Sequence, residues 1–396
     1  MARRRRTEER AEGNWAPMRS VVGWWLLLCA AAFYAACADD SAPEPTPEVP
    51  LPQELQQEVQ ALLDTNLRAT RAPGVTVAID VPGWARWEGA AGSASRARSS
   101  PMLGEAVEPR DVMRIGSMAK GMVSAVVLQL AHEGRLRLDD DVAELLPELG
   151  LWPGVTPERL MRHTSGLYNY TDDPTFITRA REAIDPVALV IEDVARGPQY
   201  PPGEAQLYSN TGYYVLGLLV THLEAQPLAE VLRTRLWDPL GLESFVLEGE
   251  EQVRGRFVDG HLGGAGATLP FSTTWSWAAG AGVGNAADLC DWARLLVAGD
   301  VLSPHYRERL MDDTRLLDGT RPEDDEGMGM RWREVAGRRV FGHTGSTMGF
   351  RGEFFFDPAD GACVALLTND FLASPRPMAD LLWAWLDEHA LPRSAR

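Results

Sequence analysis

The sequence predicts an α/β (α+β) fold: one antiparallel sheet built from both chain ends, flanked by helices, with a mainly helical lobe inserted between them. Three observations carry this. Strand-like runs occur near residue 75 and again after residue 338. Residues from about 135 to 325 read as helices and loops. A helical pattern precedes the first strands and another follows the last, so helices are available to cover the sheet.

The elements follow in order. Glu54 to Thr70 places Leu55, Val59, Leu62, Leu63 and Leu67 near helical spacing. Val75 to Ile79 alternates like a strand, Val81-Pro82-Gly83 turns, and Trp84 to Ala91 returns as a hairpin partner. From Ser117 to His132 an apolar run carries Met122, Val123, Val126, Val127 and Leu130, and Gly134 stops it. That run is apolar on more than one face, as expected of a helix in the middle of the protein. Thr211 to Gln226 and Ala287 to Ala298 are further helix candidates. Arg338 to Phe341, Gly352 to Phe356 and Cys363 to Thr368 are short strands, and Pro377 to His389 closes with a helix.

Ahead of this domain lies a targeting segment, residues 1–37. Arg3 to Arg6, Arg10 and Arg19 precede the uncharged run Val21 to Ala36, the layout of a secretory signal. Ala35-Ala36-Cys37 resembles a bacterial lipobox, although Tyr34 stands where an aliphatic residue is usual. Lipidation at Cys37, cleavage after Ala38, and an uncleaved anchor are all open, and each predicts export to the cell envelope or periplasm. Residues 38–53, rich in proline and acid, predict an extended tether. The folded domain is then 54–392, with a sheet lobe of about 54–116 and 330–392 and a helical lobe of about 135–325.

Charge narrows the function. The formal charge is −18, and losing residues 1–36 with their six arginines and three glutamates leaves −21. A nucleic-acid partner would want a basic stripe, so none is expected. Glu323 to Glu326 reads as a solvated acidic loop. Cys290 and Cys363 read as small core residues. No cysteine or histidine spacing fits a metal, and no cofactor motif is convincing. Gly280 to Gly284 lacks the spaced glycines of a dinucleotide loop, and there is no Gly-x-Ser-x-Gly elbow.

One lysine stands out. Of 38 basic residues 37 are arginine, and the remaining one, Lys120, follows Ser117 by three positions. A lysine amine can be neutralised by its surroundings, whereas arginine stays protonated. On a helix, residues three apart share a face with Cβ atoms ~5–6 Å apart, so the amine reaches the hydroxyl. Two further elements are weak alone. Tyr208-Ser209-Asn210 follows the turn Pro201-Pro202-Gly203. There a phenol can relay a proton if a nearby ammonium lowers its pKa, and Asn210 alternatively caps the next helix. His343-Thr344-Gly345 ends the strand Arg338 to Phe341, where glycine allows close approach of a ligand.

Together, in this order and spacing, the three elements resemble the class C β-lactamase and D-alanyl-D-alanine carboxypeptidase family of serine hydrolases. Arg114 to Lys120, Gly134 to Asp140, Leu160 to Leu167, Pro202 to Asn210, Asp238 to Gly241 and Gly342 to Phe350 extend the match from about Gln53 to Pro392. The resemblance implies a β-lactamase/DD-peptidase-like fold with Ser117 as acyl-accepting nucleophile. Lys120 and Tyr208 would share the base and proton-return duties, in an order the sequence leaves open. Asn210 would hold the substrate amide, and His343 (where many β-lactamases have lysine) and Thr344 would face its carboxylate or leaving group. The N–H groups of Ser117 and Ser346 would form the oxyanion hole, with Gly345 between. Arg351 is either a carboxylate partner or a surface residue. His163 reads as structural, in a tight turn beneath the site, and the other histidines as surface or helix positions.

The expected partner is a small-molecule or peptide substrate: a D-alanyl peptide, an ester or a β-lactam, with a membrane contact through the lipid anchor or signal. The implied activities rank as peptidase, esterase, then lactamase. A non-catalytic penicillin-binding sensor is the remote alternative, because such proteins tend to lose the serine or lysine.

Overall fold

The computed structural model describes residues 49–263, 271–323 and 325–389; the targeting segment, Cys37 and most of the tether lie outside them. Helix α1 (Gln53–Thr70) leads into strands β1 (Gly74–Asp80) and β2 (Trp87–Gly92). Strand β3 (Met113–Arg114) precedes helix α2 (Lys120–His132). Short helices and loops follow, with helix α3 (Asn210–Glu224), strands β4 (Val246–Leu247) and β5 (Gly282–Gly284), and helix α4 (Ala286–Ala298). Strands β6 (Arg331–Val335), β7 (Arg338–Thr347), β8 (Phe350–Phe356) and β9 (Cys363–Thr368) and helix α5 (Arg376–Glu388) complete the domain.

The main sheet has the order β2-β1-β9-β8-β7-β6, every pair antiparallel. It joins the two ends of the chain through β1 and β9, where Val77 faces Leu366. Alternation explains how both faces are covered. Val75, Val77 and Ile79 with Val364 and Leu366 pack on α1 and α5, against Val59, Leu63, Leu382 and Trp383. Ala78, Ala365 and Leu367 point to the other face and join the larger core around α2, α3 and α4. Each fully buried valine, leucine or isoleucine among them contributes about 1.5–3 kcal/mol. Among the described residues, no single helix is long and apolar enough to cross a membrane.

Several expectations need correction. β7 does not stop at Phe341: its ladder with β8 continues to Thr347, so His343-Thr344-Gly345 lies inside a strand. Residues 49–52 are not free tether: Val49 bridges Trp84 and Leu51 is buried. β6 and the small sheet β3-β5-β4 had no clear sequence signal. α4 falls within 135–325 yet packs on β1, β8 and β9. His261 is not a surface residue; buried, its ring lies 2.8 Å from the Asn369 carbonyl and accepts the Arg96 N–H at 2.9 Å. Cys290 and Cys363 are buried free thiols.

Candidate active site

Ser117 sits in a tight 3₁₀ turn, Gly116–Ala119, that feeds directly into α2. The two residues still share a face, and Lys120 Nζ lies 3.0 Å from Ser117 Oγ. The amine also lies 2.8 Å from Asn210 Oδ1 and 2.5 Å from the Ala279 carbonyl oxygen. Those two oxygens only accept, so each claims an N–H. A neutral amine has two N–H groups and one lone pair, which leaves the lone pair for the Ser117 hydroxyl. Burial pulls the Lys120 pKa down to about 7, against the opposing charge of Glu326. A neutral amine is therefore well populated near neutral pH.

Asn210 is placed by α3. Ser209, not Asn210, caps that helix, its Oγ accepting the Gly212 N–H at 3.2 Å. Asn210 is free to turn inward: its Nδ2 donates to Asn169 Oδ1 at 3.1 Å, which fixes Oδ1 toward Lys120. The Tyr208 hydroxyl donates to Ser117 Oγ at 2.7 Å. Its pKa is not lowered, as expected from sequence, but raised, chiefly by burial. Lys120 Nζ sits 5.0 Å from the ring centroid rather than at the hydroxyl. Tyr208 is thus a proton donor to the serine at rest.

His163 holds this segment from below. It adopts a left-handed backbone (φ 57°), a conformation rarely tolerated by residues with a side chain. Its ring stacks on Tyr208 at 4.3 Å, and Nδ1 accepts the Ser209 N–H at 3.1 Å. Burial and the neighbouring Lys120 lower its pKa to about 3, so it is neutral.

The opposite wall is strand β7. A side chain at Gly345 would collide with the Ile115 carbonyl oxygen, and one at Gly116 would come within 2.8 Å of the Ser346 nitrogen. The glycine of His-Thr-Gly therefore admits the chain's own backbone, rather than a ligand, and brings Ser346 beside Ser117. His343 is 2% exposed and turned toward Glu326, its Nε2 3.7 Å from Oε2. Among the described residues neither atom has a hydrogen-bond partner. Burial lowers the His343 pKa. Despite its own burial, Glu326 is held at about 2 by His343 and Arg331. Arg331 bridges Glu326 Oε1 at 2.8 Å and Thr344 Oγ1 at 2.6 Å.

Ser117, Tyr208, Asn210, His343, Thr344 and Ser346 all border one cavity of about 670 Å³, with Arg331 and Glu326 in its wall. Arg351 does not border it; its guanidinium donates to Ser346 Oγ at 3.2 Å from outside. Glu326 and Arg331 are the residues that sequence reasoning missed. The acidic run was read as solvated, yet Gly327 and Gly329, both with positive φ, flank Met328 and fold Glu326 inward. A side chain at Gly329 would meet the Lys120 backbone at 2.9 Å. The Ala279 carbonyl carries no side-chain signal at all.

The arrangement can deprotonate a serine, hold a carbonyl beside it, and bind a negative group at Arg331 and Thr344. Comparison with known proteins agrees with this chemistry. The family model described as Beta-lactamase matches residues 55–385. The chain is 30% identical over 301 residues to penicillin-binding protein 4 of Amycolatopsis lactamdurans, covering 68% of this chain and 75% of that protein. It is 26% identical over 284 residues to a D-aminopeptidase of Gluconobacter oxydans, covering 70% of this chain and 53% of that one. In structure it resembles the D-amino acid amidase of Ochrobactrum anthropi SV3 complexed with D-phenylalanine (TM-score 0.75, 20% identity, 85% of this chain and 99% of that). It likewise resembles a D-stereospecific amidohydrolase from Streptomyces (TM-score 0.69, 24% identity, 82% and 96%). At these identities the structural matches speak for the fold.

Proposed function

Because this chain belongs to the beta-lactamase family of serine hydrolases, we propose that it is an exported D-alanyl-D-alanine carboxypeptidase acting on cell-wall peptides through an acyl-enzyme on Ser117. The observation that carries the reading is the Lys120 amine, whose two acceptors leave its lone pair for the Ser117 hydroxyl.

In this reading Lys120 takes the Ser117 proton as Oγ attacks the substrate carbonyl. The N–H groups of Ser117 and Ser346 stabilise the oxyanion, a contribution typically worth ~10²–10³ in turnover per donor. Collapse of the tetrahedral adduct breaks the C–N bond. The proton returns from Lys120 by way of the Tyr208 hydroxyl to the leaving nitrogen. Water then cleaves the ester and restores Ser117. Asn210, anchored on Asn169, orients the substrate amide.

Arg331 and Thr344 favour a carboxylate-bearing substrate over a neutral ester. Their donors meet at the cavity wall where a leaving D-alanine would carry its carboxylate. Names among the relatives, penicillin-binding protein and D-aminopeptidase, point the same way, toward D-amino-acyl substrates. The test is a panel of a D-alanyl-D-alanine peptide, a short aryl ester and a chromogenic cephalosporin, with a fluorescent penicillin to map the adduct. The peptide should turn over fastest and the label should sit on Ser117. Labelling that persists in Ser117→Ala, or hydrolysis of the ester or cephalosporin alone, overturns the assignment.

The proposal of export rests on the signal-like layout of residues 1–37. Fractionation tests it: the protein should be found in the envelope or periplasm, and cytosolic protein would refute it, while lipid labelling of wild type against Cys37→Ser separates lipidation from the other two routes.

A further inference from the structure

A second groove, of about 460 Å³, opens beside the active-site cavity and shares Arg331, Thr344 and Ser346 with it. Five arginines line it: Arg321, Arg331, Arg333, Arg351 and Arg376. That density is out of keeping with a chain of net charge −18. Carboxylates neutralise three of these arginines: Arg333 by Glu353, Arg331 by Glu326, and Arg321 by Asp325 at 3.7 Å. Glu353 pairs with Arg333 at 2.5 Å, and Asp325 accepts the backbone N–H groups of Thr314 and Gly327. Glu323 remains, exposed on the rim.

Two guanidiniums keep donors to spare. Arg351 touches only Ser346 Oγ, the Ala373 carbonyl and the face of Phe371, and has no carboxylate within ion-pair distance among the described residues. Arg376 is 68% exposed, its nearest carboxylate, Asp380, 3.8 Å away. Arg376 also opens α5, whose dipole turns its positive end to the same groove.

From this we infer that the groove is a subsite for an anionic side chain on the leaving group, a carboxylate or a phosphate, held by Arg351 and Arg376 while the terminal carboxylate rests on Arg331 and Thr344. The inference deepens the carboxypeptidase reading and rests on its placement of the leaving residue. The methyl side chain of D-alanine offers Arg351 and Arg376 no charge to pair with. An acidic leaving residue has both the reach and the charge, and guanidinium pairs bidentately with either oxyanion.

Four peptides test it. N-acetyl-D-Ala-D-Glu is compared with the D-Gln peptide, and N-acetyl-D-Ala-O-phospho-D-Ser with the D-Ser peptide. Their binding to full-length Ser117→Ala protein is measured by calorimetry, which needs no turnover. The anionic member of each pair should bind roughly three- to tenfold tighter at low salt. Adding Arg351→Gln and Arg376→Gln should erase most of that advantage, and so should raised salt. An advantage for D-Glu alone would assign the site to carboxylate, for phosphoserine alone to phosphate. Equal binding within both pairs, or a preference that survives the arginine variants, overturns the proposal. Wild-type turnover of the neutral D-Gln peptide tests the carboxypeptidase reading separately: cleavage with equal pair affinities would sink the groove alone.

Discussion

The two walls of the cavity are built on opposite plans. On the helical wall, Ser117, Lys120, Tyr208 and Asn210 are linked to one another by hydrogen bonds of 2.7 to 3.0 Å. The Ala279 carbonyl saturates the amine from behind. On the strand wall, Glu326 Oε2 and His343 Nε2 face each other without a hydrogen bond, and Arg331 carries the exposed charge. A saturated network fixes protons and geometry in advance, whereas the Arg331 guanidinium, held by Glu326 and Thr344, keeps further N–H donors for a ligand. The helical wall is therefore suited to bond making, and the strand wall to recognition.

Exchanging the amine for a permanent cation is the severest way to break this contrast. Lys120→Arg keeps the charge but removes the lone pair, so acylation of Ser117 should fall by roughly 10²–10⁴-fold. Near-normal stopped-flow acylation by a penicillin would place the base elsewhere. Next comes the seam between the walls. Gly345→Ala pushes β7 off the Ile115 carbonyl and moves the Ser346 N–H. It should cost about 10²-fold in kcat, with folding checked by circular dichroism; full activity would remove Ser346 from the oxyanion site.

The strand wall should respond differently. Arg331→Gln should raise KM for a D-alanyl-D-alanine peptide roughly tenfold while leaving labelling of Ser117 by saturating penicillin in place. Loss of labelling would instead make Arg331 part of the helical wall's chemistry. The smallest expected effect couples the two. Glu326 raises the Lys120 pKa by its charge. Acylation should increase with pH as Lys120 deprotonates through about 7. Glu326→Gln removes a charge that favours the ammonium, so the midpoint should move to lower pH; an upward or absent shift would deny the coupling.

The helical wall was the more legible one in sequence, for a physical reason. Ser117 and Lys120 are neighbours on one helical turn, so their spacing alone brings them together. Tyr208 and Asn210 needed the family resemblance, because only the fold carries α3 to α2. The sheet was legible at β1, β8 and β9, where apolar runs are strong. It was hidden at β6, where Arg331, Arg333 and Glu334 break the pattern. Strands of two or three residues, β3, β4 and β5, are too short for any periodicity to register. Glu326 was hidden most deeply: an acidic run has the composition of a solvated loop, and only the two positive-φ glycines beyond it reverse that reading. The raised Tyr208 pKa was equally out of reach, since burial of a side chain depends on everything packed around it.

Because Lys120 is the sole lysine in the chain, its titration can be read directly. Protein labelled with ¹³C-lysine should give a single side-chain Cε resonance, and following its shift with pH measures the amine without ambiguity. Deprotonation near pH 7 is the result expected of a general base whose lone pair faces Ser117. A resonance that stays in its ammonium position until about pH 10 would leave the helical wall without a base and contradict the account.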